Sequence, residues 1–318
     1  MAAATLTEAR PDDGDGGRPA TPRRVFVVWN PAAGSKAGMR TNETSEADLR
    51  AAMTAHNLGS ELFVSPSPEA TASRVDAAIA AGYDVIVAAG GDGTARSIAS
   101  GLLGREAALG MLPLGSAMNL ARSLRVPRDL DGAAALIASG RVRAIDVGDV
   151  RGQTFYEQVA IGLSADAFAE AQDIDRRRWG AIAGLLRLSS RRRTRIELDL
   201  DGEVRHSRAL AIAIANAPFT GIGIELAPDA ALDDGLLDVV VFEGLSPLGL
   251  ARYMLKTLFG GEPPQRFRTV RARRVKVTAH RPLSVHFDGQ EGGETPVEIE
   301  IRPGALRVIA PEARPARH

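Results

Sequence analysis

Residues Val85–Leu102 read VIVAAGGDGTARSIASGL: an apolar run, two glycines, Asp92, a third glycine and then a helix-like stretch. A continuous apolar run of this length fits a strand buried on both faces. The polar and small residues that follow fit a crossover helix. Where such a strand hands over to its helix, glycines let backbone amides approach a ligand with no Cβ in the way. The turn also aims free N–H groups and the positive end of the helix at one point, which suits a phosphate. Gly90, Gly91, Gly93 and Thr94 thus form a candidate phosphate cradle, with the alternative that GGDG is only a tight turn. Asp92 would repel a phosphate, and is better suited to orienting a loop, a metal ion or a substrate hydroxyl.

The same alternation runs outward on both sides. RVFVVWNP is a strand followed by a loop, SEADLRAAMTAHN a helix and SELFVSP a second strand. Ser67 is placed to cap a helix whose first residue is Pro68 and which runs through EATASRVDAAIAAG. ALGMLPLGS and AMNLARSL continue the pattern to about Gly140. Strands alternating with helices predict a parallel sheet covered on both faces, with ligands beyond the strand carboxyl ends. The three loops NPAAG, GGDGT and PLGSAMN all fall at such ends.

After about Arg141 the texture changes. Consecutive strand-like runs, including a hairpin signal at Asp201-Gly202, predict an antiparallel sandwich. Two helices interrupt it, one near 164–190 and one near 246–260. The expected organisation is a disordered tail at 1–23, an α/β nucleotide-binding domain at 24–140, a β-rich domain at 141–311 and a short tail at 312–318, with a cleft between the two domains.

Composition narrows the classes. Lys plus Arg and Asp plus Glu both number 39, so no global charge points to nucleic acid. The absence of cysteine excludes disulfides, thiolate metal sites and thiol nucleophiles. The N-terminal residues lack an apolar signal core and no run is long enough to span a bilayer, so a cytoplasmic protein is expected. The chain has neither a Walker A lysine loop nor a G-x-G-x-x-G fingerprint.

NPAAG, GGDGT, LGMLPLGSAMNLARSLRVP, AIDVG, LDDGLLDVVVFEG, FDG and the terminal PGALRVIAP occur in that order. Together they resemble the diacylglycerol kinase catalytic-domain family, over about Arg24–Pro311. NAD kinases share the GGDG loop but lack the PGALRVIAP ending. The resemblance implies a phosphofructokinase-like doubly wound α/β domain, an antiparallel β-sandwich domain and ATP-dependent phosphorylation of a lipid hydroxyl in the cleft. It places ATP against Asn30, Gly34, Ser65, the loop Gly90, Gly91, Asp92, Gly93, Thr94, Ala95 and Arg96, and Gly115 and Ser116. It places Mg²⁺ on the carbonyls of Ala231 and Leu236 and the carboxylate of Asp234, and Asp146 in an acidic cleft network.

Two positions depart from the family pattern. Met118 and Asn119 stand where the family has Asn and Asp, and Gln290 stands where the family has the glutamate that acts as general base. An amide takes no proton, which leaves Asp288, Glu291 and Asp92 as candidate bases beside Gln290. Two arginine triplets, Arg176–Arg178 and Arg191–Arg193, flank an apolar segment with Trp179 and suit either an anionic bilayer surface or a solvated helix face. The expectation is a lipid kinase peripheral to the inner membrane face, a homodimer being left open. A soluble small-molecule kinase and a catalytically weak nucleotide-binding regulator are the alternatives.

Overall fold

The computed structural model describes residues 23–33, 35–36, 39–40, 44–162, 193–220, 224–243, 249 and 269–312. Both tails except Arg23 and Glu312, Gly34, the arginine triplets except Arg193, and the two interrupting helices except residue 249 lie outside the described residues.

The first half opens with β1 (Val25–Trp29), the short pair β2 (Ser35–Lys36) and β3 (Met39–Arg40), α1 (Glu46–Ala55), β4 (Leu62–Val64) and α2 (Pro68–Ala80). It continues with β5 (Val85–Gly90), α3 (Asp92–Leu102), β6 (Ala108–Pro113), α4 (Asn119–Ser123) and α5 (Leu130–Ser139). Strands β4, β1, β5 and β6 lie side by side in that order, all parallel. Every residue of β5 and β6 is buried, as a sheet covered on both faces requires. The helices pack in two pairs, α1 with α5 and α2 with α3. Ser67 accepts the Ala70 amide at 3.2 Å and Pro68 opens α2, as the sequence predicts.

The second half begins with β7 (Arg141–Val150), β8 (Gln153–Phe155), β9 (Gln158–Gly162), β10 (Thr194–Leu200) and β11 (Glu203–Ala215). There follow the short pair β12 (Phe219–Thr220) and β13 (Ile224–Glu225), then β14 (Leu237–Glu243), β15 (Thr269–Ala272), β16 (Arg274–Ala279), β17 (Ser284–Phe287), β18 (Gln290–Glu294) and β19 (Val297–Ala310). Its strand pairings are antiparallel. Asp201 and Gly202 both take positive φ, 54° and 96°, which is the hairpin geometry that an Asp-Gly pair favours.

Two strands thread both halves. The early residues of β19 pair with β16, whereas Val308 pairs in parallel with Leu109 of β6. Strand β7 runs antiparallel along β19, with a register shift between Arg302 and Leu306 where Pro303-Gly304 sits. The hydrogen-bonded sheet is therefore continuous from one half to the other. Ile145, Val147, Leu306 and Val308 join the core of the parallel sheet, while Val150, Ile299 and Ile301 join the core of the β-rich half.

Candidate active site

Three loops meet at the carboxyl ends of the parallel strands. Asn30, just past β1, donates its backbone N–H to the Ala89 carbonyl at 3.0 Å. Its side chain accepts the Ala32 amide at 3.0 Å and donates to Thr94 Oγ1 at 3.2 Å, tying the first loop to the GGDGT loop. Ser65 follows β4, and its hydroxyl lies 2.5 Å from that of Thr71. Ser116 presents its carbonyl to Arg128 Nη2 at 3.0 Å. Ala95 is buried on α3, donating its amide to the Gly91 carbonyl at 3.0 Å.

The glycines divide by what a Cβ would meet. On Gly90 it would lie 2.5 Å from Thr94 Oγ1, and on Gly115 2.7 Å from the Gly91 Cα, so protein packing accounts for these two. On Gly91 the nearest atom would be 3.8 Å away, and on Gly93 nothing lies within 4 Å. Gly91 caps α3 with no side-chain hydrogen bond to its first-turn amides. The helix start is thus an open row of donors bounded by two glycines that no protein neighbour demands.

Three carboxylates gather at this row: Asp92, the first residue of α3 itself, and Asp288 and Glu157 from the β-rich half. Asp92 accepts the amides of Met118 and Asn119, both at 2.8 Å, and so holds the left-handed turn at Met118 (φ 52°) that starts α4. Burial raises the Asp92 carboxyl above its ordinary pKa, and those two amides oppose the shift. Asp288 sits at φ 45° in the β17–β18 turn and accepts three backbone amides: Tyr156 at 2.7 Å, Glu157 at 3.0 Å and Gln158 at 3.1 Å. Both of its oxygens are used in fastening β9 to that turn, and burial raises its carboxyl despite the three amides. Arg96 reaches from α3 to the same turn. It donates to the Asp288 carbonyl at 2.5 Å, and the Gln290 amide, with its oxygen turned toward the guanidinium, accepts from it at 3.2 and 3.3 Å. Glu291 is exposed and pairs across the ladder with His286.

The third carboxylate, Glu157, was not among the residues that the sequence singled out. It is 9% exposed and accepts Asn119 Nδ2 at 2.8 Å. Burial pushes its carboxyl well above the usual carboxylate range; Asp288 and then Asp92 push the same way, against the Asn119 hydrogen bond and Arg96. The one sequence signal was a charge inside the buried run FYEQVAIG.

The 231–236 turn is held from below by buried Asp146, which accepts Gly235 N at 2.6 Å and Gly304 N at 2.8 Å. Asp234 Oδ1 accepts the Leu236 amide at 3.0 Å, and its Oδ2 lies 3.9 Å from Arg271. Burial raises the Asp234 carboxyl in spite of that amide and Arg271. Among the described residues no three His, Cys, Asp or Glu side chains gather as metal ligands. One carboxylate beside main-chain carbonyls, with a single arginine at its edge, is a donor set of the kind that a hard divalent cation keeping most of its waters can use.

The parallel sheet with its glycine loops, facing a carboxylate-lined β-rich half, defines a mixed α/β protein with a candidate phosphate site at the strand ends. A family model described as the diacylglycerol kinase catalytic domain matches residues 24–150, and one described as the YegS C-terminal NAD kinase beta sandwich-like domain matches 157–310. The chain belongs to the diacylglycerol kinase catalytic-domain family. The likeness to NAD kinases thus extends, by that description, past the shared GGDG loop. A protein of Pseudomonas fluorescens named "probable lipid kinase YegS-like" is 37% identical over 250 residues, 76% of this chain and 82% of the relative. The diacylglycerol kinase of Bacillus subtilis is 29% identical over 240 residues, 73% of this chain and 79% of the relative. The crystal structure of a diacylglycerol kinase from Bacillus anthracis superposes with a TM-score of 0.68 at 24% identity, over 92% of this chain and 98% of that one, which bears on the fold alone.

Proposed function

We propose that the protein is an ATP-dependent lipid kinase that transfers the γ-phosphoryl group to a hydroxyl of a diacylglycerol-like, sphingoid or glycerolipid acceptor. The observation that carries this reading is the open row of α3 amides between Gly91 and Gly93, facing Glu157 and Asp288 across the cleft. The phosphates of ATP fit that row, with Asn30, Ser65, Thr94 and Ser116 supplying polar atoms around it. The phosphofructokinase-like half would run to about residue 140 and the β-sandwich half from 141 to 311. Asp234 and the carbonyls of Ala231 and Leu236 would hold Mg²⁺, which when bound supplies positive charge to an acidic turn. The protein's own groups do the positioning: Asp92 sets the α4 turn, Asp288 sets the start of β9, and Arg96 ties α3 to the β17–β18 turn.

Among the described residues no helix is long and apolar enough to cross a membrane. A lipid acceptor therefore implies peripheral contact, at the cytoplasmic face, with the arginine triplets as the candidate anionic-surface contact. Gln290 favours a second reading, since an amide replaces the family's base and lies against Arg96. On that reading the protein binds nucleotide and transfers nothing. Transfer of labelled phosphate from ATP to a panel of lipid alcohols in mixed micelles, with glycerol and water as soluble acceptors, tests both. Labelled lipid product is expected. ATP binding without transfer to any acceptor would establish the regulator, and transfer to glycerol alone the soluble kinase.

A further inference from the structure

Asn119 and Glu157 meet across the cleft as an amide and an acid. The sequence puts the amide at 119, where the resemblance expects aspartate, and the structure puts an acid directly opposite, 2.8 Å away. Both partners are fixed from behind. The Asn119 amide bonds Asp92, the Glu157 amide bonds Asp288, and the Glu157 carbonyl accepts the amides of Asn216 at 2.9 Å and Ala217 at 3.1 Å. The side-chain contact is therefore a property of two rigid elements, α4 and the start of β9.

The three cleft carboxylates differ in what they have left to offer. A carboxylate has about four lone-pair sites. Asp92 draws on the amides of Met118 and Asn119 and also on its own and that of Leu120, and Asp288 accepts those of Tyr156, Glu157 and Gln158, so both are largely committed. Glu157 spends Oε2 on Asn119, and among the described residues no group donates to its Oε1. A proton acceptor needs a lone pair not already committed to a donor. Exposed Glu291 bears no comparable relation to the α3 amides, and Gln290 takes no proton.

We infer that Glu157, just before β9 and facing Asn119, is the catalytic proton acceptor of this chain. The inference rests on the kinase reading. As the acceptor oxygen forms its bond to the γ-phosphorus, the acceptor hydroxyl proton passes to Glu157 Oε1. The bond from that phosphorus to the bridging oxygen breaks, and its electron pair leaves on ADP. Asn119 keeps the carboxylate aimed, and Asp92, Asp288 and Arg96 are the charged groups that face it. The first two keep its proton affinity high, which favours taking a proton and delays ionisation.

The test compares wild type, Glu157→Gln, Glu157→Asp and the transposed pair Asn119→Asp with Glu157→Gln. Each is assayed for lipid phosphorylation and ATP hydrolysis from pH 5 to 9, as about the range in which a raised carboxyl titrates. In wild type kcat should climb with pH along a limb set above the ordinary carboxylate range. Glu157→Gln should lower kcat by about 10²–10⁴-fold, leave the KM for ATP in place and abolish the limb. Glu157→Asp should keep the limb at reduced rate. The transposed pair should recover at least about tenfold over Glu157→Gln, because an acid again faces the amide at the same contact. A wild-type limb that survives in Glu157→Gln at an undiminished kcat overturns the assignment and leaves the kinase reading standing. A wild type that transfers to no acceptor, water included, overturns both.

Discussion

At the scale of single residues, the two glycines that no neighbour requires make the sharper test of the cradle. Gly90 and Gly115 cannot change without collision, so losing them would damage fold and site together. Gly91 can change. Its backbone is extended (φ −94°, ψ −175°), and a Cβ there stays 3.8 Å from the Gly115 Cα. Gly91→Val should therefore fold, with a loss of about 1 kcal/mol from the poorer helix cap, while its branched side chain stands in front of the α3 amides. A lost hydrogen bond to a charged phosphate costs about 1.5–3 kcal/mol, or about 10–150-fold in ATP affinity. Isothermal titration with ATP, alongside a melting curve, reads both quantities. Unchanged affinity in a folded variant would mean that GGDG is a turn and nothing more.

At the scale of elements, the glycine of AIDVG turns out to be a packing device. Gly148 of β7 lies opposite Phe155 of β8, and a Cβ on it would come within 2.1 Å of the Phe155 ring. Phe155 is fully buried in the core of the β-rich half, so the ring has nowhere to go. Gly148→Ala should cost about 1–3 kcal/mol by overpacking, read as a lower denaturant midpoint, and Phe155→Leu in the same chain should return part of the loss. A midpoint unmoved by Gly148→Ala would mean the hairpin is slack enough to absorb a methyl group. That contact also shows where sequence reading stops. The parallel strands, the Ser67–Pro68 helix start and the Asp201-Gly202 hairpin are each encoded within a few adjacent residues, and all were legible. The role of Gly148 depends on a cross-strand partner, and that of Glu157 on Asn119, 38 residues earlier in the chain. Inside an apolar run, Glu157 shows only as an irregularity. Asp288 carries the opposite lesson: it sits in the expected motif, yet its oxygens fasten β9 to the β17–β18 turn. The Pro303-Gly304 step in β19 marks where one strand passes from the β-rich sheet to the parallel one, a role that depends on its pairing partners.

At the scale of the whole molecule, the halves joined by β7 and β19 close on a cluster of acids whose proton affinity burial raises. Burial raises the carboxyls of Asp92, Glu157 and Asp288, and Glu157 is raised further by the other two. An unfolded glutamate titrates near about pH 4.3. Between that pH and its raised value in the fold, Glu157 holds a proton that the unfolded chain has released. The native state then binds more protons than the unfolded one, so stability falls as pH rises through the window. Below the window both states are protonated and nothing is lost. Glutamine at 157 keeps an oxygen for Asn119 Nδ2 and has no proton to lose. Glu157→Gln should match wild type in melting temperature at about pH 4 and exceed it by a margin that widens toward about pH 8. Removing this charge also eases ionisation of Asp288 and Asp92, which adds to the margin in the same direction. Calorimetric scans of both proteins across that range measure it, and a difference that stays constant with pH would mean that Glu157 ionises in the fold as it does in water. With the margin present and transfer lost in the same variant, the acid is retained against its cost to stability, as expected for a group kept for chemistry.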